Sequence, residues 1–177
     1  MFYVIWGVVI ALCVVADQVS KYLVVNNIAL NAGEVTVIPN VLDFVYRQNT
    51  GAAFGSMKGE GGRFIFMTFS TLAIVGILIY LFWKKPSSKL LCTSLAFIAG
   101  GGIGNMIDRI SLKYVVDFID FNAFPKIWYF TFNIADSFVV VGSFMLIAWM
   151  TIDTVREFKA EKQKKLEAAS AESDGNE

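Results

Sequence analysis

The chain has 177 residues, 56% of them hydrophobic and 17% charged, with a formal net charge of zero and no histidine. A composition so apolar excludes an ordinary soluble domain and points to a membrane protein. Without histidine there is no His-based metal site, no Ser-His-Asp triad and no H-E-x-x-H zinc chemistry, and nothing in the chain resembles a nucleic-acid-binding module.

Four runs approach or exceed the roughly 20 residues that a spanning helix requires. They are Phe2 to Val25, Phe64 to Trp83, Leu90 to Ile107 and Phe130 to Ile152. The expected architecture is a four-helix membrane unit over residues 1–155, followed by a charged tail over 156–177. The first run lacks a basic leader segment and an A-x-A cleavage site and carries Asp17 and Lys21, so it reads as a retained span. Basic residues flank the spans at Lys84, Lys85 and Lys89 and again from Arg156 to Lys165. Short cytoplasmic loops are enriched in Lys and Arg, which places both chain ends in the cytoplasm and the two longer connections outside.

In the first span, Asp17 and Lys21 are four residues apart, the spacing of a helical ion pair. Lys21 has a second option, reaching the lipid head groups while Asp17 faces inward. The first outer segment holds two β-prone runs, Val35 to Asn40 and Leu42 to Arg47, turning through Pro39-Asn40 and predicting a hairpin. Asn49-Thr-Gly-Ala-Ala-Phe-Gly55 follows. It reads either as a turn or as a polar Asn beside small residues that let a backbone approach a ligand.

The second span carries no charge and predicts a packing and lipid-facing helix. In the third, Gly100 and Gly104 are spaced for close helix packing, and Asn105 and Arg109 lie one turn apart. Arg109 has Asp108 as a possible partner, or a carboxylate or lipid phosphate for its fork. Tyr114 to Phe121 alternates imperfectly and is open between strand and helix. Phe124, Trp128, Tyr129 and Phe130 form an aromatic cluster where the chain re-enters the bilayer.

Asn133 and Asp136 then fall inside the fourth apolar run. An ionisable group there is expensive and functional by default. Asp117 sits just outside the third span. Two carboxylates brought together do not both ionise readily, so one keeps a proton while the other stays charged, as an aspartic peptidase requires. Beyond Arg156 the helix is expected to run to about Leu166 and the final AASAESDGNE to be disordered. Cys13 and Cys92 lie in apolar runs and read as small buried hydrophobes.

Five motifs together resemble those of the bacterial lipoprotein signal peptidase (signal peptidase II) family. They are Asp17-Gln-Val-Ser-Lys21, Asn49 to Gly55, Gly104-Asn-Met-Ile-Asp-Arg109, Val115-Val-Asp-Phe118 and Phe132-Asn-Ile-Ala-Asp136. The resemblance covers about residues 3 to 155. It implies four transmembrane helices with a small extracytoplasmic β-rich platform, and an aspartic peptidase that cuts prolipoproteins immediately before a diacylglyceryl-modified cysteine. Asp117 and Asp136 would be the catalytic pair, Asn49, Asn105, Arg109 and Asn133 would surround the substrate, and Asp17, Lys21 and Gly104 would support them. No cofactor or metal is implied. The expected partners are lipidated prolipoproteins and membrane lipid, with the enzyme expected as a monomer in the cytoplasmic membrane and its site near the outer face.

Rival readings fit less well. A G-x-G-D intramembrane protease fails because Gly104 is followed by Asn105, and a four-helix transporter predicts inverted repeats that the two halves do not show. A non-enzymatic scaffold leaves the Asn and Asp residues of the last two spans without a role.

Overall fold

The computed structural model describes residues 1–51, 60–123 and 130–174. The order is α1 (Phe2–Asn27), β1 (Glu34–Ile38), β2 (Leu42–Asn49), α2 (Glu60–Ile79) ending in a π-helical turn (Tyr80–Lys84), α3 (Lys89–Ser111), β3 (Val115–Phe121), β4 (Thr131–Phe132) and α4 (Ile134–Asp174). Four of these helices contain segments long and apolar enough to cross a membrane, Phe2–Asn27, Met67–Lys84, Lys89–Ser111 and Ile134–Lys165. The protein is therefore a multi-pass membrane protein with a small antiparallel sheet.

The helices are apolar outward, with Leu12, Phe69, Leu72, Phe144 and Ile147 all exposed, as lipid-facing surfaces are. α3 is the central helix and packs against each of the other three. Glycines allow the close approach: a Cβ at Gly100 would stand 2.6 Å from that of Cys13 on α1, and one at Gly101 would strike the Ala135 carbonyl on α4. The Gly100/Gly104 packing reading thus holds.

The sheet has the order β1-β2-β3-β4, every pair antiparallel. The expected hairpin is present as β1–β2, turning at Asn40 in the left-handed conformation (φ 60°), which Asn tolerates better than most residues. β3 resolves the ambiguous stretch as strand. Its first four residues, Val115 to Phe118, are all buried, which is why polar and apolar positions do not alternate there.

Two apolar clusters hold the molecule. One, around Ile10, Leu81, Leu91, Cys92, Leu95 and Ala99, joins α1, α3 and the π turn at the end away from the sheet. The other, Val24, Ile28, Tyr46, Val116 and Phe118, fastens the sheet to the end of α1. Along α1 the buried residues run Ile10, Cys13, Asp17, Lys21, Val24, a single stripe of helical period. Its two charged members fall between the two clusters.

Three expectations are revised. The fourth span was expected to begin at Phe130, but Thr131–Phe132 pair as β4 with Asp120 and Ile119 and the helix starts at Ile134. Asp136 therefore lies in the first turn of α4. The third helix runs on to Ser111, carrying Asp108 and Arg109 with it, and α4 continues to Asp174, beyond Leu166. Ala52 to Gly55, and Phe124, Trp128 and Tyr129 of the aromatic cluster, lie outside the described residues.

Candidate functional site

Asn133 is the residue before α4, and with Asp136 it forms a reciprocal cap. The Asp136 amide donates to Asn133 Oδ1 (2.9 Å), while the Asn133 amide donates to Asp136 Oδ2 (3.2 Å). This is the capping-box arrangement, with Asn and Asp in place of Ser/Thr and Glu. It places a carboxylate against the positive end of the helix. The remaining oxygen of Asp136 accepts from Asn105 Nδ2 at 2.7 Å.

Asp117 comes from β3. β2 runs antiparallel to it with Asn49 opposite Val115 and Arg47 opposite Asp117. Asn49 lies two residues along from Arg47, so it projects to the same face as Asp117. Its Nδ2 donates to Asp117 Oδ2 at 2.9 Å, and Asn133 Nδ2 donates to Asp117 Oδ1 at 2.7 Å. Each carboxylate oxygen of Asp117 thus has one amide donor.

The orientation of all three amides follows from partners that can only donate. Asn49 Oδ1 accepts from the Gly51 backbone N–H and Asn133 Oδ1 from that of Asp136. Asn105 Oδ1 accepts from the Lys21 ammonium (3.0 Å) and from Asn133 Nδ2 (3.1 Å). Since these donors occupy the oxygens, each NH2 group must face a carboxylate. Asn133 connects the two acids directly, capping one and donating to the other.

Beneath this layer lies a fully buried charged group. Lys21 is 3% exposed and its ammonium reaches Asp17 Oδ2 (2.8 Å), Asp108 Oδ2 (2.9 Å) and Asn105, which uses all three of its donors. The alternative in which Lys21 reaches the head groups is overturned, because two carboxylates hold it inside. Asp17 Oδ1 accepts from the Ala135 amide at the start of α4, and Asp108 Oδ2 accepts from the Val116 amide at the start of β3. The charged group therefore braces the two elements that carry Asp136 and Asp117. Gly104 makes room for it: a Cβ there would sit 2.5 Å from Asp17 Oδ2.

The sequence offers Asp108 only as a partner for Arg109, and Gln18 only as part of its motif. Gln18 Nε2 reaches Asp17 Oδ2, Asp108 Oδ1 and the Gly104 carbonyl, so one amide ties α1 to α3. A buried lysine needs more than one partner, and an acid one turn from Gly104 was the available signal. Arg109 does not pair with Asp108. Its guanidinium donates to the Asn105 carbonyl at 3.3 Å, making it the least integrated of the expected residues.

Electrostatically, burial pushes the Asp117 carboxyl up from its ordinary 3.8 to about 6. The Asn49 hydrogen bond opposes this, the neighbouring Asp136 carboxyl adds to it, and Asn133 and Lys21 pull it down. A carboxyl in that range changes charge near neutrality, as acid–base catalysis favours. Among the described residues every buried side-chain polar atom has a partner, and no cluster of three acidic or cysteine side chains is placed to hold a metal ion.

Comparison with known proteins gives a consistent result. The family described as "Signal peptidase (SPase) II" matches residues 9–152. The chain is similar to the lipoprotein signal peptidase of Caldanaerobacter subterraneus subsp. tengcongensis, at 44% identity over 78% of this chain and 90% of that protein. It is also similar to that of Symbiobacterium thermophilum, at 42% over 78% and 89%. Among solved structures it resembles a bacterial membrane enzyme determined by the in meso method at 2.3 Å resolution, with a TM-score of 0.76 and 27% identity, covering 86% of this chain and 91% of that one. With a four-helix bundle, a small sheet and a match to the family over most of its length, the chain belongs to the signal peptidase II family.

Proposed function

We propose that the protein is an aspartic endopeptidase that removes signal peptides from diacylglyceryl-modified prolipoproteins, cutting immediately before the lipidated cysteine with Asp117 and Asp136 as its catalytic pair. The observation that carries this reading is the set of three orientation-fixed amides of Asn49, Asn105 and Asn133, which join the two carboxyls into one unit.

The two carboxyls share one proton, so that one is ionised and the other neutral. Asp117 is held by side-chain amides at 2.9 and 2.7 Å, and its carboxyl, pushed up to about 6, changes charge near neutrality. The ionised carboxyl takes a proton from a water held between the two, and the resulting hydroxide attacks the scissile carbonyl. The neutral partner donates its hydrogen bond to the oxyanion that forms, and later gives that proton to the leaving amine.

Because the pair sits at the first turn of α4 beside the sheet, it lies at the hydrocarbon edge. Water reaches that level, and the diacylglyceryl chains can stay among the lipids. The basic residues Lys84, Lys85, Lys89 and Arg156 to Lys165 gather at the opposite end, which supports cytoplasmic termini and an extracytoplasmic site.

The test is cleavage of a lipidated prolipoprotein peptide by purified protein in detergent. Asp117→Asn and Asp136→Asn should each abolish cleavage while thermal stability is retained, and an unlipidated peptide should be cut poorly. An active Asp136→Asn protein would refute the pair.

A further inference from the structure

The π turn at the end of α2 has no part in the proposed chemistry, and it lies at the end of the bundle away from the sheet. There the helix widens over Tyr80–Lys84 and stops at Lys85 in the left-handed conformation (φ 48°), an arrangement that lysine rarely adopts. Single π turns inside helices recur at functional sites. Here the inner face of the turn is anchored by Leu81, fully buried in the apolar cluster. Its outer face forms a groove of about 370 Å3 lined by Gly76, Ile79, Tyr80, Trp83 and Lys84.

The chemistry of the groove changes along its length. At Gly76 a Cβ would meet nothing within 4 Å, so the missing side chain leaves a notch in an otherwise apolar helix face. One turn further come Ile79 and Tyr80, then Trp83, which is 80% exposed at a depth where amphipathic rings meet head groups. Lys84 closes the groove, and Lys85 and Lys89 add positive charge within the next five residues. Lys85 Nζ lies 4.7 Å from the centre of the Tyr3 ring, which itself stacks on Phe82. No Asp or Glu occurs from Gly61 to Ile107. Among the described residues none of the three lysines is in an ion pair.

We propose that this groove is a binding site for a phospholipid with an anionic headgroup: an acyl chain lies along the Gly76 notch and Trp83, and the phosphate is held by Lys84 with Lys85 and Lys89. An apolar face on a membrane helix is always covered by lipid. What the groove adds is a shaped seat ending in uncompensated positive charge, which selects among lipids by headgroup. The site is separate from the Asp117/Asp136 region and does not depend on the peptidase reading.

The test uses the full chain reconstituted in phosphatidylcholine bilayers, with brominated phosphatidylglycerol or brominated phosphatidylcholine as the quencher of tryptophan fluorescence. The Trp83 component is the difference between the parent protein and Trp83→Phe. It should be quenched with an apparent affinity roughly fivefold or more higher for the phosphatidylglycerol, the scale of a single lysine near an anionic surface. The Lys84→Gln, Lys85→Gln, Lys89→Gln triple variant should show equal affinities. Gly76→Leu, which fills the notch without touching a charge, should weaken quenching by both lipids. Equal quenching in the parent protein, a preference that survives the triple replacement, or unchanged quenching in Gly76→Leu would each overturn the proposal.

Discussion

Replacing Asn49 by Ala separates a turn residue from a member of the active site. Asn49 is half-buried at the end of β2, and among the described residues its amide makes two contacts, accepting from Gly51 N–H and donating to Asp117 Oδ2, each at 2.9 Å. Losing the first removes a local turn bond worth about 1 kcal/mol or less. Losing the second removes a hydrogen bond to a charged group, worth about 1.5–3 kcal/mol in favour of the ionised form. At 1.36 kcal/mol per pH unit, Asp117 would then ionise about one to two pH units higher than its present value of about 6. The sign follows from the donor: it stabilises the carboxylate, so removing it makes protonation easier and leaves Asp117 uncharged over a wider pH range. The limb of the kcat/KM profile that Asp117 sets, measured with a lipidated peptide, should shift to higher pH by that amount, with Tm lowered by only a few degrees. A profile that stays in place, together with near-normal turnover, would refute the placing of Asn49 against a working carboxylate.

Ionising a buried Asp117 also has a cost in stability. With a folded value of about 6 against an ordinary 3.8, its contribution is fully present below about pH 4 and is lost as pH rises through about 6, on the order of 3 kcal/mol. Thermal unfolding should therefore show a fall across that window that is absent in Asp117→Asn. Lys21→Met leaves Asp17 and Asp108 buried without their shared cation, so stability should drop by about 3–5 kcal/mol, measured by unfolding in detergent. A smaller loss would mean that water or protons replace the ammonium.

The four spans were legible because lipid-facing helices need only length and apolarity, and the Asp17–Lys21 spacing offered a helical pair as one of two readings. The start of α4 was not. Phe130, Thr131 and Phe132 are as compatible with a helix as with a strand, and only pairing with Ile119 and Asp120 decides between them. Asp108 reads in the sequence only as a partner for Arg109, because its pairing with Lys21 depends on α1 lying against α3, a tertiary fact with no local signature. The amides of Asn49, Asn105 and Asn133 could be named as candidates, but the direction in which each points is set by donors up to 84 residues away.

The contact between Asp17 Oδ1 and the Ala135 amide joins residues 118 positions apart, and it bears on how the protein is made. Membrane helices enter the bilayer in order during synthesis, so α1, α3 and the β2–β3 pairing are all available before α4 arrives. Until then Asp17 has no Ala135 to hold, Asn133 has no helix to cap, and Asp117 faces no second carboxyl. With Asp117 and Asp136 as the proposed catalytic pair, a chain stalled before its last helix would carry most of the mature bundle but only one of its two acids, so cleaving power would appear only once α4 is in place.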